Sequence, residues 1–244
     1  MQFVHNDIYL KKRLIIGTVF NGKSRFTNKI KKASISIDFS YTVYNDFSSD
    51  STTEMLEKMS EKLGFTLINL KNITLHPSPN YLLILQMAQQ RAIFENAHLM
   101  IIESDIIVEK KTIQQMYDAV NRLEKPGMLS VITKDSNNKI NYPHFYSRRY
   151  KSEVVNTKKK LSFSCSLLSQ SFLASYNFDI LNPERTWHDF FISKKSIELG
   201  FNNYLLTSLP VTHLENSLYP WKHLKNTEPI KYYWNKFIAT FIDK

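Results

Sequence analysis

Apolar residues along this chain fall in short runs separated by amphipathic stretches. Arg13-Leu-Ile-Ile-Gly-Thr-Val-Phe20 is nearly continuous and predicts a buried strand entering a loop at Asn21-Gly22. Ile35 to Tyr44 is β-rich and partly alternating, which predicts a second strand. A polar cluster, Asn45 to Thr52, then leads into a helix over Thr53–Leu63, where Met55, Leu56, Met59 and Leu63 share one face. Ser51 or Thr52 is suited to cap that helix and Gly64 to close it. Phe65–Leu70 predicts a third strand. Pro77-Ser-Pro-Asn80 is a loop, Tyr81–Asn96 a long helix, and Leu99–Ile102 a fourth strand that ends at Glu103-Ser-Asp105. Thr112–Leu123, with Ile113, Met116, Tyr117 and Val120 on one face, predicts another helix, and Met128–Thr133 a fifth strand.

Strands that alternate with helices imply an α/β domain on a largely parallel sheet. In such sheets ligands collect beyond the carboxyl ends of the strands. Both polar clusters, Asn45–Asp50 and Glu103–Asp105, follow predicted strands and therefore belong on one edge of the sheet.

The chain has 244 residues, 43% of them hydrophobic and 13% aromatic, enough for one large domain or a domain with an appendage. The single cysteine, Cys165, rules out an internal disulfide framework, fits a reducing compartment and reads as a small buried side chain. There is no run of 18 apolar residues and no basic-then-apolar leader pattern, so a soluble or at most surface-attached protein is expected. The net charge of +10 is concentrated. Lys134–Lys160 carries eight basic and two acidic residues, and Asn216–Lys244 five basic and two acidic. Such patches suit phosphates, lipid head groups or nucleic acid, or are simply solvated. No nucleic-acid recognition motif accompanies them.

Residues i and i+2 of a strand face one side, so Glu103 and Asp105 can converge where the fourth strand frays. Two hard oxygen donors suit Mg²⁺ or Mn²⁺, which keep waters and bridge to substrate phosphates. Taken alone, an acid-x-acid pair reads first as a solvated strand-end loop.

On these residues the chain resembles a nucleotide-sugar glycosyltransferase of the GT-A fold, most closely the large inverting family 2. Glu103-Ser-Asp105 is similar to that family's DxD motif, with Glu for the first Asp. Val43-Tyr-Asn-Asp-Phe-Ser-Ser-Asp-Ser-Thr52 resembles its "VVDDGSTDGT" stretch, Asn45, Asp46, Ser48 and Asp50 matching while Phe47 and Ser51 replace glycines. Gly17-Thr-Val-Phe-Asn-Gly22 is similar to "PTYNG", and Phe178-Asp179 to "FDE". His188-Asp-Phe-Phe-Ile-Ser-Lys-Lys-Ser-Ile-Glu-Leu-Gly200 resembles "EDVDLSLRLRKAG", with His188 and Phe191 as departures. Leu209-Pro-Val-Thr-His213 is similar to the "P...V.H" ending. The matches stand in family order over about residues 12–215.

The resemblance implies a GT-A domain over 1–215 and an extension over 216–244, with a three-layer Rossmann-like architecture. It implies an inverting transfer from a UDP-, GDP- or dTDP-sugar to a glycan or lipid-linked acceptor, in polysaccharide or lipopolysaccharide assembly on the cytoplasmic side. Glu103, Asp105 and His213 would hold Mn²⁺ or Mg²⁺. Thr18, Phe20, Asn45, Asp46, Asp50 and Ser104 would contact the donor nucleotide. Asp189 would be the general base, although it also suits a helix N-cap. His188, Lys195, Arg148 and Arg149 would meet acceptor or phosphate, and Lys195 reads equally as a solvated helix lysine. Asp46 reads equally as a turn-holding Asx residue. The Lys134–Lys160 segment, with Tyr142, Pro143, His144, Phe145 and Tyr146, fits an acceptor loop. The aromatic and basic tail, Leu218–Lys244, fits packing on the domain or contact with a membrane surface. Two other readings remain open: a degenerate, non-catalytic relative that only binds, and a nucleotidyltransferase, which lacks here its glycine- and lysine-rich signature near the first strand.

Overall fold

The computed structural model describes residues 14–20, 39–141, 144–184 and 187–214, with 228 and 230; side chains are described from residue 39 onward, Phe145 excepted. The loop at Asn21-Gly22, Tyr142-Pro143, the side chains of Thr18 and Phe20, and the expected extension over 216–244 apart from those two positions lie outside the described residues.

In chain order, β1 is Leu14–Phe20, β2 Phe39–Asn45, α1 Asp50–Leu63, β3 Thr66–Asn69, α2 Tyr81–Phe94, β4 His98–Glu103 and β5 Ile106–Ile107. The second half adds α3 Lys110–Arg122, β6 Pro126–Lys134, β7 Val154–Asn156, β8 Cys165–Leu168, α4 Gln170–Ser175, α5 His188–Glu198 and β9 Asn202–His213. One sheet takes the order β3-β2-β1-β4-β8-β6-β9-β5, with β7 also on β9. The pairs β3–β2, β2–β1, β1–β4 and β6–β9 are parallel, whereas β8 runs antiparallel to both β4 and β6. Mixed but mostly parallel is therefore the description of the sheet.

Strand β4 is buried on both faces, which is why it reads as a continuous apolar run. Met100 and Ile102 join the core under α1 and α3, with Leu56, Ile113, Met116 and Val120. Leu99 and Ile101 join the opposite core, with Ile84 and Leu85 of α2, Phe172 of α4 and Ile192 of α5. The result is three layers, helices on either side of the sheet. Cys165 lies within it, fully buried, and burial pushes its thiol pKa up to about 12.

Helix α1 begins earlier than its pattern suggests. Ser49, rather than Ser51 or Thr52, is the N-cap, accepting from the Thr52 amide, and Gly64 at φ 71 closes the helix as expected. Gly200, at φ 76, follows the end of α5 in the same left-handed region, where glycine carries no steric cost.

Helix α5 presses unusually close to the sheet. A side-chain carbon at Gly127 of β6 would collide with Ser196 of α5 and come within 2.8 Å of Phe201. Buried hydrogen bonds fasten the same contact: Ser196 Oγ donates to Asn203 Oδ1 (2.8 Å), and Asn203 Nδ2 donates to the Ser193 carbonyl (2.7 Å). Gly127→Ala is expected to destabilise the protein by about 1–3 kcal/mol through overpacking, read as a lower urea midpoint at unchanged slope.

Candidate active site

The parallel register sets the ends of the strands level. Phe20 of β1 pairs with Asn45 of β2, Val19 pairs with Glu103 of β4, and Lys134 of β6 pairs with Thr212 of β9. The Asn45–Asp50 and Glu103–Asp105 segments and His213 are thus carried on, or just beyond, one carboxyl edge.

At that edge Asp105 and His213 meet. His213 Nε2 lies 3.4 Å from Asp105 Oδ2, and Asp105 is buried. The short strand β5 produces the contact, because Ile106 pairs with His213 of β9 and so folds the Glu103-Ser-Asp105 turn back onto it. The Leu214 amide adds a 2.9 Å hydrogen bond to the Asp105 carbonyl. Ser104 occupies the turn itself.

Glu103 follows Ile101 by two positions and so falls on the α5 side of β4. Its backbone amide donates to the Ser164 carbonyl at 3.0 Å. Burial, then the Asp105 carboxylate, and more weakly Asp189, push its pKa up to about 7, against the opposing pull of His213 and a hydrogen bond with Ser164. Glu103, Asp105, His213 and Asp189 therefore share one electrostatic neighbourhood.

Asp189 lies in the first turn of α5 and is not its N-cap, a position held by Trp187. Its Oδ1 accepts from the Phe190 amide at 2.8 Å, and its Oδ2 is 3.8 Å from Lys160 Nζ. Burial raises its pKa above the ordinary carboxylate value, countered by Lys160, the Phe190 amide and His188. Lys160 also stands over the Trp187 ring, 5.6 Å from its centroid. His188 turns inward, buried and stacked on Tyr81 of α2 at 6.3 Å. Its Nδ1 has no hydrogen-bond partner among the described residues.

In the β2–α1 loop a phenylalanine stands where the resembled motif has glycine. Phe47 sits at φ 55, a left-handed conformation that costs a non-glycine residue about 1–2 kcal/mol. Asp46 holds the loop in place. It is buried and accepts from Ser78 Oγ (2.7 Å), the Asn80 amide (2.9 Å) and Asn80 Nδ2 (2.8 Å). It is tied to the start of α2 rather than to an Asx turn of its own. Asn45 Nδ2 donates to Thr53 and Asn69, while Asn45 Oδ1 and Ser48 Oγ are buried without a partner among the described residues. Asp50 is exposed and pairs with Lys71 at 3.5 Å.

The expected acceptor cations are spread out. Lys195 pairs with Glu198 at 3.3 Å. Arg148 donates to the Ile140 carbonyl (2.8 Å), and Arg149 is exposed on the same turn, His144–Arg149. Sequence reasoning missed Lys160, whose contact with Asp189 joins segments distant in the chain, and the inward role of His144. His144 is fully buried, its Nδ1 accepts from the Thr133 amide at 3.3 Å, and its pKa is lowered to about 4 by burial and then by nearby His213.

The donor chemistry suits a hard divalent ion. Two ligands side by side on Mg²⁺ stand about 3 Å apart, close to the Asp105–His213 separation. Among the described residues no three His, Cys, Asp or Glu side chains are gathered to hold an ion, so phosphate or water would complete the shell.

No family model and no curated protein matches the chain. Solved structures do. TarS of S. aureus in complex with UDP aligns with TM-score 0.61 at 16% identity, over 84% of this chain and 60% of that one. The mannosyltransferase PcManGT from Pyrobaculum calidifontis, in complex with GDP-Man and Mn²⁺, aligns with TM-score 0.61 at 12% identity, over 95% and 65%. GalNAc-T7 with UDP, GalNAc and Mn²⁺ aligns with TM-score 0.57 at 10% identity, over 85% and 45%. This chain spans less than two thirds of the length of each. At these identities the likeness establishes the GT-A fold.

Glu103 generates a pH test. A carboxyl whose folded pKa is raised contributes stability below its unfolded pKa near 4.5 and loses it as pH rises through about 7. Glu103→Gln should remove that slope, making the variant more stable than the parent at pH 8 by on the order of 2 kcal/mol and not at pH 4, as read by urea denaturation.

Proposed function

We propose that this protein is an inverting glycosyltransferase that moves a sugar from a nucleoside-diphosphate sugar to a glycan or lipid-linked acceptor. One observation carries the reading: the Asp105–His213 pair stands at the carboxyl edge of a GT-A sheet next to Glu103, whose pKa is raised by Asp105 and, more weakly, by Asp189. The fold neighbours crystallised with UDP or with GDP-Man and Mn²⁺ support the nucleotide-sugar part.

Asp105 and His213, with Glu103 beside them, would hold Mn²⁺ or Mg²⁺. Such an ion, when bound, neutralises the charge that develops on the departing diphosphate. The β2–α1 loop, with Asn45 and Ser48 held in position by Asp46, would receive base and ribose, together with Thr18, Phe20, Ser104 and Asp50.

Asp189 is the base. It takes the proton of the acceptor hydroxyl as that oxygen bonds to the anomeric carbon and the bond to the diphosphate breaks. Burial makes its carboxylate more basic than one in water, which suits the task. Lys160 holds it in place between turnovers. A cytoplasmic setting goes with this activity, and no helix of the described residues is long and apolar enough to cross a membrane.

UDP, GDP, dTDP and CMP are to be tested by thermal shift with and without Mn²⁺. One nucleotide should stabilise the protein only with the metal, and Asp105→Ala should abolish the effect. Stabilisation that ignores metal would contradict the assigned ion site. Asp189→Asn should keep nucleotide binding and lower kcat by about 10²–10⁴-fold. Unchanged turnover would remove Asp189 as base, and nucleotide binding with no transfer to any acceptor would favour a binding protein.

A further inference from the structure

Beside Asp189 a pocket of about 370 Å³ opens between the segment that leads into β8 and one face of α5. From α5 come Phe190, Ser193, Lys194, Ile197 and Glu198, at the i, i+3, i+4, i+7, i+8 spacing of a single helical stripe. Lys158 and Lys160 form the opposite wall. Ser193 stitches the two walls together, its Oγ accepting from the Leu161 amide at 3.1 Å.

The pocket is cationic above an apolar floor. Of its charges, Glu198 is already met by Lys194 (3.8 Å) and by Lys195 from outside the pocket (3.3 Å). Lys160 reaches Asp189, whereas Lys158 is exposed and has no ion pair among the described residues. Phe190 supplies a part-exposed ring, and the exposed Trp187 ring lies beneath Lys160. Rings of this kind cover the apolar face of a sugar, and ammonium groups above them select a substituent with negative charge.

Resting on the glycosyltransferase reading, we infer that this pocket seats an acceptor saccharide bearing an anionic group, a phosphate or a carboxylate. Lys160 supplies the connection. It lines the pocket and its Nζ lies 3.8 Å from Asp189 Oδ2, so an anion held there lies one lysine away from the carboxylate that must reach the attacking hydroxyl. The donor diphosphate has its own place at the Asp105–His213 pair, which leaves these lysines to the other substrate.

The test is an NMR titration of isotope-labelled protein with glucose 6-phosphate, glucuronate and glucose at low ionic strength. One or both anionic sugars should bind at least tenfold more tightly than glucose. Tighter phosphate assigns a phosphorylated acceptor, and tighter carboxylate a uronic acid. Lys158→Glu, at an exposed site that folding does not need, and the Lys158→Ala/Lys194→Ala double variant should each cost at least tenfold for the anionic sugars while nucleotide affinity is unchanged. Equal affinity for glucose, or variants that bind as the parent does, overturns the proposal. Parallel loss of nucleotide affinity also overturns it, assigning the lysines to the donor diphosphate. If the parent binds no nucleotide, the transfer reading fails and takes the acceptor role with it. Nucleotide binding without discrimination between glucose 6-phosphate and glucose removes the pocket proposal alone.

Discussion

Strand β1 pairs in parallel with both β2 and β4, and this double pairing determines where the acids that follow β2 and end β4 are placed. Parallel strands in register finish together, so their following loops crowd onto one rim. The β2–α1 loop and the Glu103–Asp105 turn are neighbours for that reason alone. On the far side of β8, the β6–β9 pair points the same way and delivers His213 to the same rim. No side chain of the site has to reach far, since the backbone has already brought it there.

Crowding carries an electrostatic cost. Glu103, Asp105 and Asp189 lie in protein matter where water screens poorly, and His213 and Lys160 are among the few groups that oppose them. A core built for stability alone would avoid the arrangement, and a site awaiting positive charge would require it. The strained backbone of Phe47 is of the same kind. It is tolerated because Asp46, with three donors from Ser78 and Asn80 in the loop before α2, over-determines the loop around it.

Much of this was legible in the residues. Runs such as Leu99–Ile102 are apolar because both faces are covered, and amphipathic helices such as α3 declare their buried face through Ile113, Met116 and Val120. The candidate site was readable as a series of weak matches in a meaningful order. Three things were not readable. Strand β8 hides in the serine-rich run Leu161–Ser169, where Ser130 donates to the Ser162 carbonyl from a distant strand and Ser166 donates to the same carbonyl. The hydrogen bonds of Asp46 could not be read from the sequence, because its partners Ser78 and Asn80 belong to another loop. Lys194 and Lys195 are adjacent and alike in sequence, and only the packing of α5 decides which one faces the pocket.

The antiparallel strand β8 also bears on how the chain is made. It occupies the middle of the sheet, between β4 and β6, yet it is formed by residues 165–168. As the chain leaves the ribosome, β4 can pair on one side with β1 while its other edge stays bare until those residues emerge. Strand β4, apolar on both faces, therefore waits for its second neighbour until β8 has been made. Long-range closure of this kind makes folding slow, and it leaves a nascent chain with a sticky central edge for chaperones to guard.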